Sequence, residues 1–244
     1  MVDIHSHILP NLDDGSESVS ESLELLRLMK KQGIEKVFAT PHFYPQVHNF
    51  EDFSKSIFKS LNTLNDNIRF NSLPEIYLGC ELLYFRDIGD CDSLFDFCFE
   101  GSSYLLLELS VNAIDKHLFD DLKKIQKDRK IHPIIAHIER YLGAKNYNKL
   151  IKFAKKENIP LQINASSVLD ERLYKEIKRL ISKDMVTYIA TDSHSVKERP
   201  PQMDKAFRVL EKDFGKDYIR KLEQNSDDLF NKIISETNFY AQNF

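Results

Sequence analysis

Strand-like runs alternate with amphipathic helical stretches seven times along this chain, and that alternation constrains its fold more than any other feature. The runs are Val2 to Ile4, Lys36 to Thr40, Glu75 to Cys80, Tyr104 to Leu107, Pro133 to Ala136, Ile159 to Ile163 and Val186 to Thr191. Between them apolar residues recur at helical spacing. Ser18-x-x-Glu21 reads as a capping box, Val19, Leu23, Leu26 and Met29 share one face, and Gly33 is a stop. Phe53, Ile57, Leu61 and Leu64 form a second such face, Leu118, Leu122 and Ile125 a third, and Leu150, Ile151 and Ala154 a fourth. Leu169, Leu173, Ile177 and Leu180 follow as a fifth. The tail carries Phe207, Leu210, Ile219, Leu222 and Leu229 in one or two helices. Alternation of this kind predicts parallel strands joined by helical crossovers.

Six of the seven runs lead into a potential metal ligand. The first leads into His5 and His7, the second into His42, the third into Glu81 and the fourth into Glu108. The fifth ends at His137 and the seventh at Asp192, with His194 two residues on; the sixth ends on a weaker candidate, Asn164. Residues two apart on extended chain point the same way, so His5 and His7 share a side, and Asp192 and His194 repeat the spacing. An open doubly wound sheet gathers ligands at one crevice only, whereas ligands from nearly every strand end require those ends to converge. The expected fold is therefore α/β, a distorted (β/α)7 barrel with a metal site at the carboxyl ends of its strands.

At 244 residues, without a linker rich in Gly, Pro or Ser, the chain reads as a single domain over 1–244 whose C-terminal helices begin at about 205. A formal charge of −4 argues against a nucleic-acid partner, which needs a basic surface. Cys80, Cys91 and Cys98 form no CxxC pair and leave an odd count, which fits a reducing compartment. The N-terminus enters a strand at once, and no apolar run approaches the roughly 20 residues that span a bilayer. The expectation is a cytoplasmic protein without membrane insertion. No Gly-rich nucleotide loop, Cys-x5-Arg loop or nucleophile elbow is present.

Several segments carry a family resemblance: Asp-Ile-His-Ser-His at 3–7, Asn-Leu-Asp-Asp-Gly at 11–15, Thr-Pro-His at 40–42, His-Ile-Glu-Arg-Tyr at 137–141 and Thr-Asp-Ser-His at 191–194. In order and spacing they resemble the polymerase-and-histidinol-phosphatase (PHP) superfamily. With Glu-Arg-Pro-Pro-Gln-Met at 198–203, they resemble most its branch of bacterial protein-tyrosine phosphatases of the CpsB/YwqE type, found with capsule and exopolysaccharide synthesis. The likeness runs from residue 1 to about 205.

The resemblance implies three divalent ions, Mn most of all, although mixed His and carboxylate ligation also admits Fe, Co or Zn. It implies one ion on His5, His7, Glu81 and Asp192, a second on Glu81, Glu108 and His137, and a third on Asp14, His42 and His194. Asp13 is expected to serve the turn at 13–15. Three divalent ions against the carboxylates of Asp14, Glu81, Glu108 and Asp192 leave a surplus of positive charge that a phosphate-monoester dianion neutralises. Arg140 and Arg199, in the loops after His137 and His194, are the expected phosphate clamps and the candidate catalytic residues, because a guanidinium fork holds two oxygens at once.

The implied activity is metal-dependent phosphotyrosine hydrolysis, with a bacterial tyrosine kinase tail as partner. Two alternatives remain: a phosphatase for histidinol phosphate or another small molecule, and a phosphotyrosine-binding regulatory module with structural metals. His48, His117 and His132 lie off the strand ends and are expected to be structural. Asp3 is a candidate support for a ligand. Asn164 is a candidate pocket-lining residue, and Tyr84 and Phe85 are candidates for contact with an aromatic ester.

Overall fold

Short polar side chains fix where the helices begin. Ser18 accepts a hydrogen bond from Glu21 N, Asn49 from Asp52 N, Asp115 from His117 N and Leu118 N, and Asp170 from Arg172 N. Each satisfies backbone donors that the first helical turn leaves without partners. The computed structural model describes residues 1–68 and 72–243. Its elements are β1 (Val2–Ser6), α1 (Val19–Lys31), β2 (Lys36–Ala39), β3 (His42–Phe43), α2 (Phe50–Asn65), β4 (Glu75–Leu78), β5 (Glu81–Leu83) and β6 (Tyr104–Glu108). They continue as α3 (Lys116–Lys127), β7 (His132–Ile135), α4 (Tyr147–Lys156), β8 (Gln162–Asn164), α5 (Ala165–Val168), α6 (Glu171–Ser182), β9 (Tyr188–Ala190), α7 (Met203–Phe214) and α8 (Lys216–Asn243).

Every strand pair is parallel, so this is a mixed α/β fold on parallel sheets. The orders are β1-β2-β4, β3-β5-β6-β7 and β8-β9. Isolated bridges Ile135–Leu161 and Ser6–Ser193 link β7 to the β8 side and β1 to the end of β9. Hydrogen bonds from Ile135 N to Pro160 O and from Asp192 N to His5 O run beside them.

The second and third runs form single strands, β2 to Ala39 and β4 to Leu78, and each is followed by a short further strand, β3 and β5, that was not expected. Pro41 has no N–H for the ladder, and β3 begins beyond it at His42. The third run stops at Gly79, where a Cβ would stand 2.5 Å from the Phe99 ring and 3.1 Å from Thr40 Cγ2. The fifth apolar face divides. Leu169 closes α5, and Asp170 starts α6 as its N-cap. In the tail Gly215, at φ +83°, separates α7 from α8.

Two apolar clusters hold the elements together. The larger packs α1 to α7 against the sheets, including Leu25, Leu82, Leu107, Leu122, Ile163 and Leu210. The smaller joins Val2, Ile4, Phe38, Leu106, Ile134 and Ala190 to Leu229, Phe230 and Ile233 of α8. Phe230 meets Tyr77 edge-on at 4.8 Å, and the Lys36 ammonium lies 4.1 Å from its ring centroid. Among the described residues no helix is long and apolar enough to cross a membrane.

Candidate metal centre

The strand ends bring the predicted side chains to one place. His5 and His7 leave β1 with their Nε2 atoms 3.2 Å apart. Both face Glu81 Oε2, at 3.1 and 3.2 Å, and both stand 3.5 Å from Asp192 Oδ1. His42 Nδ1 approaches the same Glu81 oxygen at 3.0 Å and Glu108 Oε2 at 3.9 Å. His137 Nε2 lies 2.7 Å from Glu81 Oε1 and 3.7 Å from Glu108 Oε1. Asp14 Oδ1 is 3.4 Å from His42 Nε2 and 3.3 Å from His194 Nε2. All nine expected ligands thus belong to one continuous cluster.

Three sets within it have ligand atoms within 4.8 Å of one another: His5, His7, Glu81 and Asp192; His7, Asp14, His42 and His194; and His42, Glu81 and Glu108. The first is the expected set. The second is the expected trio with His7 added. In the third His42 stands where His137 was expected, while His137 approaches Glu81 through that residue's other oxygen.

The donor atoms fit a cation better than they fit each other. Glu81 Oε2, Asp192 Oδ1, His42 Nδ1 and His194 Nε2 are buried without a hydrogen-bond partner among the described residues. Three ring nitrogens converge on Glu81 Oε2 at about 3 Å, yet none makes a hydrogen bond with it. Leaving buried polar atoms unpaired costs about 1–3 kcal/mol each, more when charged. Lone pairs aimed at one point are the arrangement that divalent ions satisfy.

The electrostatics agree. Burial opposes charge on Glu81, but His5, His137 and His42 outweigh it and hold this carboxyl well below the usual range. Burial likewise opposes charge on Asp192, and the surrounding cations led by His5 and Arg140 keep it ionised. Burial would neutralise His7, yet the Asp13 carboxylate against its Nδ1 pushes it up to about 10. His194 goes the other way, down to about 2, through burial and the charge of His7. Two of the expected ligands carry unusual backbone, His137 at φ 31° and Asp192 at φ 48°, a left-handed conformation that costs non-glycine residues energy and is concentrated at functional sites.

Asp13 exceeds its expected role. Its Oδ1 does accept Gly15 N in the turn, but Oδ2 accepts from His7 Nδ1 at 2.7 Å and from His42 N at 3.0 Å. A carboxylate only accepts, so His7 carries its hydrogen on Nδ1 and turns Nε2 to the cluster. Tyr141 was also missed; its hydroxyl lies 3.3 Å from His137 Nδ1 and accepts Leu109 N. Neither role has a spacing that sequence displays. Asp3 does support a ligand segment, accepting from Thr191 N and Oγ1.

The rim is open on one side, where Asp14, Arg140 and Arg199 are exposed by 63%, 38% and 37%. Both guanidinium groups bond to Asp192 Oδ2, Arg199 at 2.8 Å. Tyr44 stacks on His42 at 5.0 Å. Tyr84 instead packs in the larger cluster and donates to Asp121, and Phe85 is packed against that cluster. His48 accepts Tyr44 N through its ring, while His117 and His132 sit at the start of α3 and β7, outside the cluster.

Fold and side chains together define a mixed α/β protein whose parallel strands deliver a His-carboxylate cluster able to hold divalent ions. The chain belongs to the CpsB/CapC family of capsular polysaccharide synthesis, whose sequence model matches residues 1–231. The tyrosine-protein phosphatase CpsB of Streptococcus agalactiae is 29% identical over 233 residues, covering 91% of this chain and 94% of that protein. A solved structure from the work on YwqE of Bacillus subtilis and CpsB of Streptococcus pneumoniae, described as unique metal-dependent tyrosine phosphatases, superposes with a TM-score of 0.84 at 26% identity, covering 95% of each chain. The histidinol phosphate phosphatase of Lactococcus lactis shares the fold at TM-score 0.55 and 15% identity, over 86% of this chain and 92% of that one.

Proposed function

We propose that this chain is a metal-dependent protein-tyrosine phosphatase acting on a phosphotyrosine-bearing tail of a bacterial tyrosine kinase in capsule or exopolysaccharide synthesis. The relatives of that name and activity, matched over nearly their whole length, support the enzyme class and the substrate group. The observation that carries the metal requirement is the convergence of three imidazole nitrogens on Glu81 Oε2 without a hydrogen bond. In this reading residues 1–244 form a single domain. The links from β7 through β8 and β9 to β1 support a distorted seven-stranded barrel. The ligands are His5, His7, Asp14, His42, Glu81, Glu108, His137, Asp192 and His194, serving three ions with Mn2+ favoured. Cys80, Cys91 and Cys98 are free thiols, which supports a reducing, cytoplasmic setting.

Bound divalent ions would act as Lewis acids on the phosphoryl oxygens and bring water toward an ionising pKa of about 7. The protein's own contribution is orientation. Arg140 and Arg199 stand half-open at the rim with their donors already gathered on one carboxylate oxygen. A phosphate dianion entering there offers the same donors a second acceptor with bidentate geometry. Asp13, by fixing the His7 ring, keeps Nε2 directed at the cluster.

The test is phosphate release from a phosphotyrosine peptide, a phosphoserine peptide and histidinol phosphate, each with and without Mn2+. The phosphotyrosine peptide should give the highest kcat/KM, and chelation should abolish turnover. Faster hydrolysis of histidinol phosphate would move the chain to the small-molecule alternative. Full activity after exhaustive chelation would sink the metal mechanism, and metal binding without turnover would favour a regulatory module.

A further inference from the structure

Of the seven strand runs read in the sequence, the sixth, which forms β8, leads into neither imidazole nor carboxylate, yet two buried amides stand there, Gln162 and Asn164. We propose that they are positioning residues: Gln162 fixes the ring of His5, and through Asn164 it fixes the carboxylate of Asp192. The inference rests on the metal reading above and adds to it the device that aims two of the ligands.

Backbone partners settle the orientation of the first amide. Gln162 Oε1 accepts from His137 N at 2.9 Å, a group that can only donate. Gln162 Nε2 donates to Ile163 O at 2.7 Å, a group that can only accept. The amide therefore has one orientation, and its consequences propagate. His5 Nδ1, 3.2 Å from Gln162 Oε1, meets an acceptor and must carry a hydrogen, which makes Nε2 the nitrogen turned toward Glu81 and Asp192. Gln162 Nε2 also donates to Asn164 Oδ1 at 2.8 Å. With its oxygen engaged, Asn164 turns Nδ2 to Asp192 Oδ2, 2.6 Å away.

That last bond holds one oxygen of Asp192, so the unpaired Oδ1 is the one facing His5 and His7. Asn164 N donates to the buried Glu139 Oε1, which anchors the strand end itself. One amide pair thus ties together ligands from the first, fifth and last strand runs. Arg140 and Arg199 bind the same Asp192 oxygen, but from the exposed rim where an incoming anion competes for them. The amides have no such competitor, being 0% and 1% exposed.

The experiment compares the full-length protein with Asn164→Asp, Asn164→Ala and Gln162→Met. Each is chelated and then titrated with Mn2+, with the free ion read by its EPR signal. Asn164→Asp is isosteric but sets a second carboxylate against Asp192, and one Mn2+ should bind about tenfold to a hundredfold more weakly. Asn164→Ala, which removes the donor without adding charge, should lose less. In both, KM for a phosphotyrosine peptide should stay near wild type, and kcat should recover substantially as Mn2+ is raised. Gln162→Met should weaken Mn2+ binding too; if it does not fold, the two Asn164 variants decide. Wild-type Mn2+ affinity in Asn164→Asp, with or without a lower Tm, would overturn the positioning role alone. A wild-type chain that retains no Mn2+ would overturn this inference together with the metal reading.

Discussion

At the scale of single residues, the site is a contest between protons and metal ions for the same nitrogens. His7, held at about 10 by Asp13 against the opposing effect of burial, keeps its proton at neutral pH in the ion-free protein. A folded-state pKa above the ordinary 6.5 adds stability that is complete below pH 6.5 and lost as pH rises through 10. An ion arriving on Nε2 must displace that proton, so affinity should fall as pH is lowered. Adding Mn2+ to chelated protein at pH 7 in weak buffer should release at least one proton per chain, measurable by pH-stat; no release would refute the assignment of His7. Arg199 is the second test. Losing one charge-assisted bond to phosphate, worth roughly 1.5–3 kcal/mol, should lower kcat/KM of Arg199→Ala by about tenfold to a hundredfold with metal content unchanged. Arg199→Lys should recover part, since an ammonium keeps the charge without the fork. A drop in bound metal would instead make this arginine a support for Asp192.

At the scale of elements, what was legible in the sequence is what periodicity encodes. The N-cap at Ser18, the stop at Gly33 and the inward ends of the runs all follow from local chain geometry and stand where expected, while Glu21 of the expected capping box accepts from Glu17 N and Val196 N instead of Ser18 N. The features missed depend on contacts distant in sequence. Asp13 looked like a turn former because its turn is local, whereas its bonds to His7 and His42 arise only when β1 and β3 are adjacent. The break after Leu78 follows from Phe99, a residue 20 positions from Gly79, which occupies the space a side chain would need. Gly79→Ala tests that account. Forcing a methyl against Phe99 and Thr40 should cost about 1–3 kcal/mol. For a chain of this size that is roughly 2–12 °C in Tm by calorimetry. An unchanged Tm would mean that Phe99 yields freely and that the break has another cause.

At the scale of the whole molecule, α8 joins the end of the chain to its beginning. Leu229, Phe230 and Ile233 complete the small cluster around Val2, Ile4 and Phe38. Phe230→Ala should destabilise the protein by about 3–5 kcal/mol in urea unfolding. Its folded fraction should keep wild-type kcat, because its ring contacts among the described residues are Phe38, Tyr77 and Lys36, none of them in the candidate metal cluster. Lost turnover at full folding would show that α8 reaches the chemistry. The same closure bears on how the protein is born. His5 and His7 leave the ribosome almost 190 residues before Asp192 and His194, which share their candidate metal sets. At about 5–20 residues per second, β1 waits on the order of ten seconds or more for its far neighbour. Through that interval two histidines are exposed to any free metal without the geometry that selects among metals. Selection of the ion therefore belongs to the finished chain and not to its synthesis.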